Sequence, residues 1–309
     1  MIPSEAGVSS GAASTAAQAG ALDLVRPRHQ QLIMTIFGLY AREEGGALPV
    51  AALIRMLGDL GIEEAGVRSS VSRMKRRGIL ESRKDGATAQ YALSVLSLEI
   101  IAEGDSRIYS RRRADVADRW LLIVFSIPET ERAKRHTLRS QLTRMGFGAV
   151  APGVWIAPAT LYSETSNRLA RLGLASYVEL FSVDNLTPEQ MAAKVDDWWD
   201  LPSLDALYQR FVEQYVPMHQ AWQSRIGAPV SQENKAAQAS GQDASGQAFI
   251  DYVYMFTQWR RMPFLDPGLP LEFLPAQWSG VRAEQLFSDI HNAIGPLAHD
   301  YVHRIIHPQ

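Results

Sequence analysis

Between Arg68 and Lys84 the chain sets seven cations, Arg68, Arg73, Lys75, Arg76, Arg77, Arg83 and Lys84, against one acid, Glu81, and interleaves the hydroxyls of Ser69 and Ser72. Guanidinium forks match the acceptor edge of guanine in a major groove, while ammonium and hydroxyl groups hold phosphate oxygens without reading sequence. Cations near a helix C-terminus also occur as a solvated face that complements the helix dipole. A second set with chemical potential lies near the end of the chain, where His291, His299, His303 and His307 recur at steps of eight, four and four. A pair such as His299 and His303 can hold Zn²⁺, with Asp300 beside it, but a third ligand must come from elsewhere, and a solvated histidine row fits the same spacing. No phosphate loop, Ser/His/Asp arrangement or paired carboxylates appear, so no catalytic residues are assigned and the chain is expected not to be an enzyme. Cysteine is absent. That excludes disulfides, thiolate metal sites and cysteine nucleophiles, fits a reducing cytoplasm, and leaves no expected cofactor.

Hydrophobic periodicity supplies the elements that would carry these groups. Over 28–42, Leu32, Ile33, Ile36, Phe37, Leu39 and Tyr40 recur at helical steps and stop at Gly45-Gly46. Pro49 opens a second helix, with Leu53, Ile54, Leu57 and Leu60 on one side and Gly61 at its end. A third helix over 63–77 buries Val67, Val71 and Met74, ends at Gly78, and turns the cations and serines outward. Two strand-like runs at 79–84 and 88–94 are joined by Asp85-Gly86, a hairpin signal. Three helices and a hairpin in about seventy residues form the plan of a winged helix-turn-helix, and the local charge of +6 over 66–84 makes double-stranded DNA its expected partner. A helix near 95–110 leads to Arg111-Arg112-Arg113, a linker or short basic strip.

Beyond residue 119 the order is strand (120–127), helix (130–145), strands (148–151 and 154–157), helix (161–172) and strand (177–183), the split βαβ or ferredoxin-like plan. Helical patterns follow at 188–200, 203–216, 218–226, 247–261 and 282–305. The fold class is therefore α+β multidomain. A disordered arm is expected at 1–25, a winged helix at 26–95, a linker helix at 96–118, a ferredoxin-like domain at 119–185 and a helical domain at 186–309 with a mobile polar loop at 227–248. The first 25 residues hold no Lys or Arg, so a secretory signal lacks its charged start. No apolar run nears the ~20 residues that span a bilayer, so no membrane partner is expected.

Whole-chain charge hides this organisation. The 309 residues carry −2 overall, yet 26–113 carry +5 and 180–309 carry −7. A uniformly cationic coat for nucleic acid is excluded, whereas a local polyanion-binding surface is not.

Four segments carry a resemblance to a known family: VRSSVSRMKRRGIL at 67–80, RWLLIVFSIPE at 119–129, LTRMGFGAVAPGVWIAP at 142–158 and RRMPFLDPGLPLEFLPAQWSG at 260–280. The most specific features are Gly146, Phe147, Gly148, Gly153 and Trp155, then Asp266-Pro267, Leu269-Pro270, Leu274-Pro275, Trp278 and Gly280. With these the sequence resembles the PaaX family of bacterial transcriptional repressors of aromatic catabolism. The resemblance implies a homodimeric, cytoplasmic repressor that binds a palindromic operator and is released by an aryl-acyl-coenzyme A such as phenylacetyl-CoA. It also implies that Arg68, Arg73 and Arg77 sit at the family's recognition-helix positions. The hairpin departs from the family, since Gly86 is followed by Ala87, Thr88, Ala89 and Gln90 rather than an arginine. The middle domain is similar to a small CRISPR-associated ferredoxin-like nuclease, but the metal-holding acid expected at the end of its first strand is missing from Phe125, Ser126, Ile127 and Pro128.

An acyl-CoA needs cations for its phosphates and an apolar or aromatic wall for its acyl group. Arg210, Arg260 and Arg261 are candidates for the first, Trp155, Trp222, Trp259, Phe264 and Trp278 for the second, and His303 is a further candidate; a tryptophan at helical spacing is also an ordinary core residue. The alternative reading is an acyl-CoA-binding or enzymatic α/β protein whose winged helix serves protein contacts.

Overall fold

The computed structural model describes residues 27–184, 187–227 and 244–308. The expected arm at 1–25 lies outside them, as do 228–243 of the expected loop; residues 244–248 of that loop begin a helix instead. The architecture is α+β, with two small antiparallel sheets and long C-terminal helices. Two compact units are present, and each draws on separate stretches of sequence.

One unit comprises, among its described residues, 27–109, 210–227, 244–260 and 281–308. Its N-terminal part runs α1 (His29–Ile36, continued by a π-helical turn Phe37–Ala41), β1 (Ala47–Pro49), α2 (Val50–Asp59), α3 (Glu64–Arg76), β2 (Leu80–Asp85), β3 (Thr88–Leu93) and α4 (Val95–Tyr109). The sheet order is β1-β3-β2, so the expected hairpin gains a third strand, with Leu48 opposite Tyr91. Its core is the inward face of the three helices: Leu32, Ile33, Ile36, Leu53, Met56, Leu57, Val67, Val71 and Met74 are all buried. The rest is helical: the C-terminal part of α9 (Leu201–Gly227), α10 (Ala244–Trp259) and α12 (Ser279–Ile306).

The N-terminal elements are built onto these helices. Packing of α1 on α10 buries Thr35 and Thr257, whose hydroxyls bond at 2.8 Å, and Arg260 reaches Thr35 Oγ1 at 3.0 Å and the Gln31 carbonyl at 3.3 Å. Tyr254 donates to the carbonyl of Leu60 at 2.8 Å, Tyr301 to Asp59 at 2.7 Å, and the Trp259 indole to the carbonyl of Ile108 at 3.1 Å. All but the exposed Tyr301–Asp59 bond satisfy polar atoms that the packing partly or wholly removes from water.

The other unit comprises 110–209 and 261–280 among its described residues. Here β4 (Trp120–Phe125), α5 (Arg132–Arg144), β5 (Gly148–Ala151), β6 (Val154–Pro158), α6 (Tyr162–Arg171) and β7 (Val178–Val183) follow the expected order, and the sheet runs β5-β6-β4-β7 with every pair antiparallel. Leu121 and Ile123 face Leu138, Leu142, Phe147 and Leu169 in one core. Trp120, one position away and hence on the opposite face, meets Trp199 and Phe273 with ring centroids 6.4 Å apart. Short helices α7 (Pro188–Ala192), α8 (Val195–Trp198) and α11 (Met262–Leu265) complete the order.

Two expectations are corrected. The patterns at 203–216 and 218–226 form one helix, α9, with Pro217 inside it. The arginine run is not a basic strip: Arg111 and Arg113 are largely buried against Asp266, and Arg112 between them is exposed, 3.6 Å from Asp118. Extended backbone sends alternate side chains to opposite sides, so the run splits one against two. Among the described residues no helix is long and apolar enough to cross a membrane.

Candidate nucleic-acid interface

Helix α3 is amphipathic in two senses. Val67, Ser70, Val71 and Met74 point inward and are buried, while Arg68, Ser69, Ser72, Arg73, Lys75, Arg76 and Arg77 are all exposed. Gly78, at φ +67°, ends the helix: its amide bonds the Lys75 carbonyl at 2.9 Å and the next amide, of Ile79, bonds that of Met74 at 3.0 Å. Only glycine takes that backbone without strain. The closure turns the chain directly into β2 and holds the hairpin beside the cationic end of the helix. Arg73, Lys75 and Arg76 lie in the last turn, where the helix dipole favours them.

Several of these cations are already oriented. Arg68 pairs with Glu64 one turn back, its Nε 2.7 Å from the carboxylate. Arg73 donates from Nη1 and Nη2 to the hydroxyls of Ser69 and Ser70 at 2.8 and 3.0 Å, so its fork lies bonded along the helix surface. Lys75 donates to Ser82 of β2 at 2.6 Å and lies 5.8 Å from the Tyr91 ring centroid, which ties helix to hairpin. Arg76, Arg77 and Lys84 have no side-chain partner among the described residues. Strand alternation places Lys84 on the side of Ser82 and Lys75, but Arg83 on the opposite side, where it reaches the Gly45 carbonyl at 3.3 Å. The cations of α3 and Lys84 are thus gathered, and Arg83 is set apart from them.

The residues expected to hold an effector are not gathered. In the unit with the four-stranded sheet, Trp155 is part of the core, Trp278 is buried edge-on against Tyr208, and Arg261 and Phe264 are half-buried. In the other unit Trp259 stacks on Phe287 at 4.6 Å, Arg260 is bonded to Thr35 and Gln31, and Arg210 and His303 are exposed. Trp222 lines a cavity of about 720 Å³ that also receives Arg55, Arg225, Tyr301 and Arg304. Nothing in their spacing links these residues, since they come from three helices.

Among the described residues the histidine row is set against acids and against itself rather than gathered around one point. His299 Nε2 lies 3.1 Å from Glu43, His307 Nε2 lies 3.1 Å from both oxygens of Glu44, and the His303 ring lies tilted at 45° to that of His307 with centroids 4.8 Å apart. Among the described residues no group of three or more His, Asp or Glu side chains could hold a metal ion, because the third ligand that His299 and His303 need is not supplied. His291 is separate: its Nδ1 is 2.6 Å from the Tyr252 hydroxyl, and burial lowers its pKa.

Three family models match the chain in succession: PaaX-like protein over residues 28–95, PaaX protein central Cas2-like domain over 113–195, and PaaX-like protein C-terminal domain over 199–304. A transcriptional repressor, PaaX, of Escherichia coli strain K12 is 27% identical over 277 residues, which is 88% of this chain and 82% of the repressor. An uncharacterized protein from Mycobacterium tuberculosis has the same fold, with a TM-score of 0.53 at 21% identity over 87% of this chain and 97% of its own.

Proposed function

The chain belongs to the PaaX family, and from that premise we propose that it is a DNA-binding transcriptional repressor of an aromatic-compound catabolic operon and not an enzyme. In this reading residues 27–93 act as a winged helix-turn-helix, α3 enters the major groove, and Arg68, Ser69, Ser72, Arg73, Lys75, Arg76 and Arg77 contact bases and phosphates, with Lys84 adding a backbone contact beside them and Arg83 a separate one from the other face of β2, for which it must leave the Gly45 carbonyl. The four-stranded antiparallel sheet with two helices is read as a ferredoxin-like domain. The protein works as a cytoplasmic homodimer on a palindromic site, the two α3 helices lying in successive major grooves. An aryl-acyl-CoA releases it by binding the DNA-free state more tightly.

The observation that carries the proposal is the division of α3 into a buried apolar face and an outward row of cations held in place by Glu64, Ser69, Ser70 and Ser82. The relatedness to the Escherichia coli repressor over most of the chain supports it. Electrophoretic mobility shift with the DNA upstream of the protein's own gene tests it. A sequence-preferring complex that weakens steeply with salt is expected. Binding indifferent to both sequence and salt would overturn the reading.

A further inference from the structure

We infer that the cavity between α2, α9, α10 and α12 is a binding site for an anionic ligand with an aromatic or other flat apolar group, and that such a ligand acts on DNA affinity through α2. Its volume, about 720 Å³, falls in the range of small-molecule sites. Three guanidiniums line it from three different helices: Arg55 on α2, Arg225 on α9 and Arg304 on α12. Like charges converge at a cost, and an anionic ligand that neutralises them offsets it; forked donors suit phosphate or carboxylate oxygens. One carboxylate, Asp251, also faces the cavity, but it is occupied by the Trp222 indole at 2.8 Å and by Gln247 at 2.9 Å.

The same wall supplies the apolar half of the site. Met218, Ala221, Ile250 and Ile305 line it together with Trp222, which is itself 3% exposed, its ring oriented by the Asp251 bond with Arg225 5.0 Å from its centroid. Tyr301 stands opposite, its hydroxyl donating to Asp59 and also bonded to Arg55. Burial, with help from Asp59, raises the Tyr301 pKa to about 12, so the phenol keeps its proton and remains a donor at neutral pH.

The location gives the site its effect. Arg55 belongs to the helix that precedes α3 by one tight turn, and Asp59 and Leu60 at the end of α2 are the groups bonded by Tyr301 and Tyr254. A ligand that draws Arg55 toward Arg225 and Arg304 competes for Arg55 with Tyr301 and changes how α2 is seated on the C-terminal helices. Because α2 and α3 share one core, α3 follows. In the repressor reading, on which this inference rests, the ligand would be the aryl-acyl-CoA, its phosphates on the arginines and its acyl group toward Trp222.

The test uses the full chain and phenylacetyl-CoA as the probe, with binding read by calorimetry and DNA release read by mobility shift. The double variant Arg225→Gln, Arg304→Gln is expected to bind phenylacetyl-CoA roughly tenfold or more weakly and to need correspondingly more of it for release. Arg282→Gln, exposed on α12 outside the cavity, should behave as the parent. If the parent binds and the double variant binds equally well, the ligand sits elsewhere and this site is wrong while the effector reading stands. If the parent binds no phenylacetyl-CoA, the effector reading fails and takes the assignment with it.

Discussion

Asp266 is 0% exposed, and its Oδ2 lies 3.2 Å from Nη2 of Arg113, a residue 153 positions earlier in the chain. Arg111 approaches Oδ1 at 3.1 Å and also bonds the Asp266 carbonyl, while the Tyr208 hydroxyl donates to Oδ2 at 2.9 Å and the Gly268 amide to Oδ1 at 2.7 Å. Burial alone raises the pKa of this carboxyl, but the two guanidiniums and the two donors outweigh it and hold it below the ordinary carboxylate range. The cluster fastens the proline-rich run at 266–270, itself buried, to the segment that leads into β4.

Replacing Asp266 by Asn removes the charge and leaves two largely buried guanidiniums without a counter-ion. A loss of about 3–5 kcal/mol is expected. Chemical denaturation measures it, and a midpoint unchanged from the parent would show that the cluster contributes nothing net. The reverse exchange, Arg113→Met, should cost less, because Arg111 still neutralises the carboxylate.

Gly148→Ala tests a packing contact. A methyl group there would stand 2.6 to 2.9 Å from the ring atoms of Trp199, whose indole is pinned by its 2.9 Å bond to the Gly146 carbonyl. The ring cannot yield without breaking that bond or its contact with Trp120. A destabilisation of about 1–3 kcal/mol is expected, and thermal unfolding should show it together with a change in tryptophan fluorescence.

For DNA affinity, Arg73→Ala should cost about 1–3 kcal/mol and relax specificity at one base position, whereas Lys75→Ala should weaken all sequences alike and lower the salt slope by about 1. Glu64→Gln should act in the opposite direction. It frees Arg68 from its intrahelical partner and removes a negative charge from the face, so affinity and salt slope both rise. Titrations at several salt concentrations separate the three outcomes.

Stability should fall as the solution is acidified. Burial depresses the His291 pKa, so the folded state favours the neutral ring. Its contribution is complete above the ordinary histidine value, ~6.5, and is lost as pH drops through the lower folded value, since protonation then favours unfolding. Asp266 adds a second loss further down, where its depressed carboxyl takes up a proton. His291→Gln should remove the first step and leave the second, as unfolding measured between pH 7.5 and 3 would reveal.

Local signals were the legible ones. Apolar spacing located α1, α2 and α3, Gly78 and Asp85-Gly86 located their ends and the hairpin, and the cations of α3 face outward as their positions between Val67, Val71 and Met74 require. Strand β1 was not visible, because three residues ending in Pro49 carry no period and the proline signals a helix start. Pro217 broke the pattern of α9 on paper, although the helix continues through it. The largest misreading concerned charge: three consecutive arginines look solvated until a carboxylate 153 residues away is brought between two of them. Arg55, Trp222, Arg225, Tyr301 and Arg304 could not be connected for the same reason, since their only common property is a wall built by tertiary packing.

If residues 27–93 read DNA as proposed, the attachment of α1 to α10 sets the terms on which that head could be exchanged between regulators. A head cut after residue 93 would expose the face around Thr35 that Thr257 and Arg260 cover, and would surrender the bonds at Asp59 and Leu60. A hybrid made at that boundary should aggregate or misfold. One that carries residues 94–109, 210–260 and 281–309 of the same parent should keep the head intact, so the natural cassette is discontinuous in sequence.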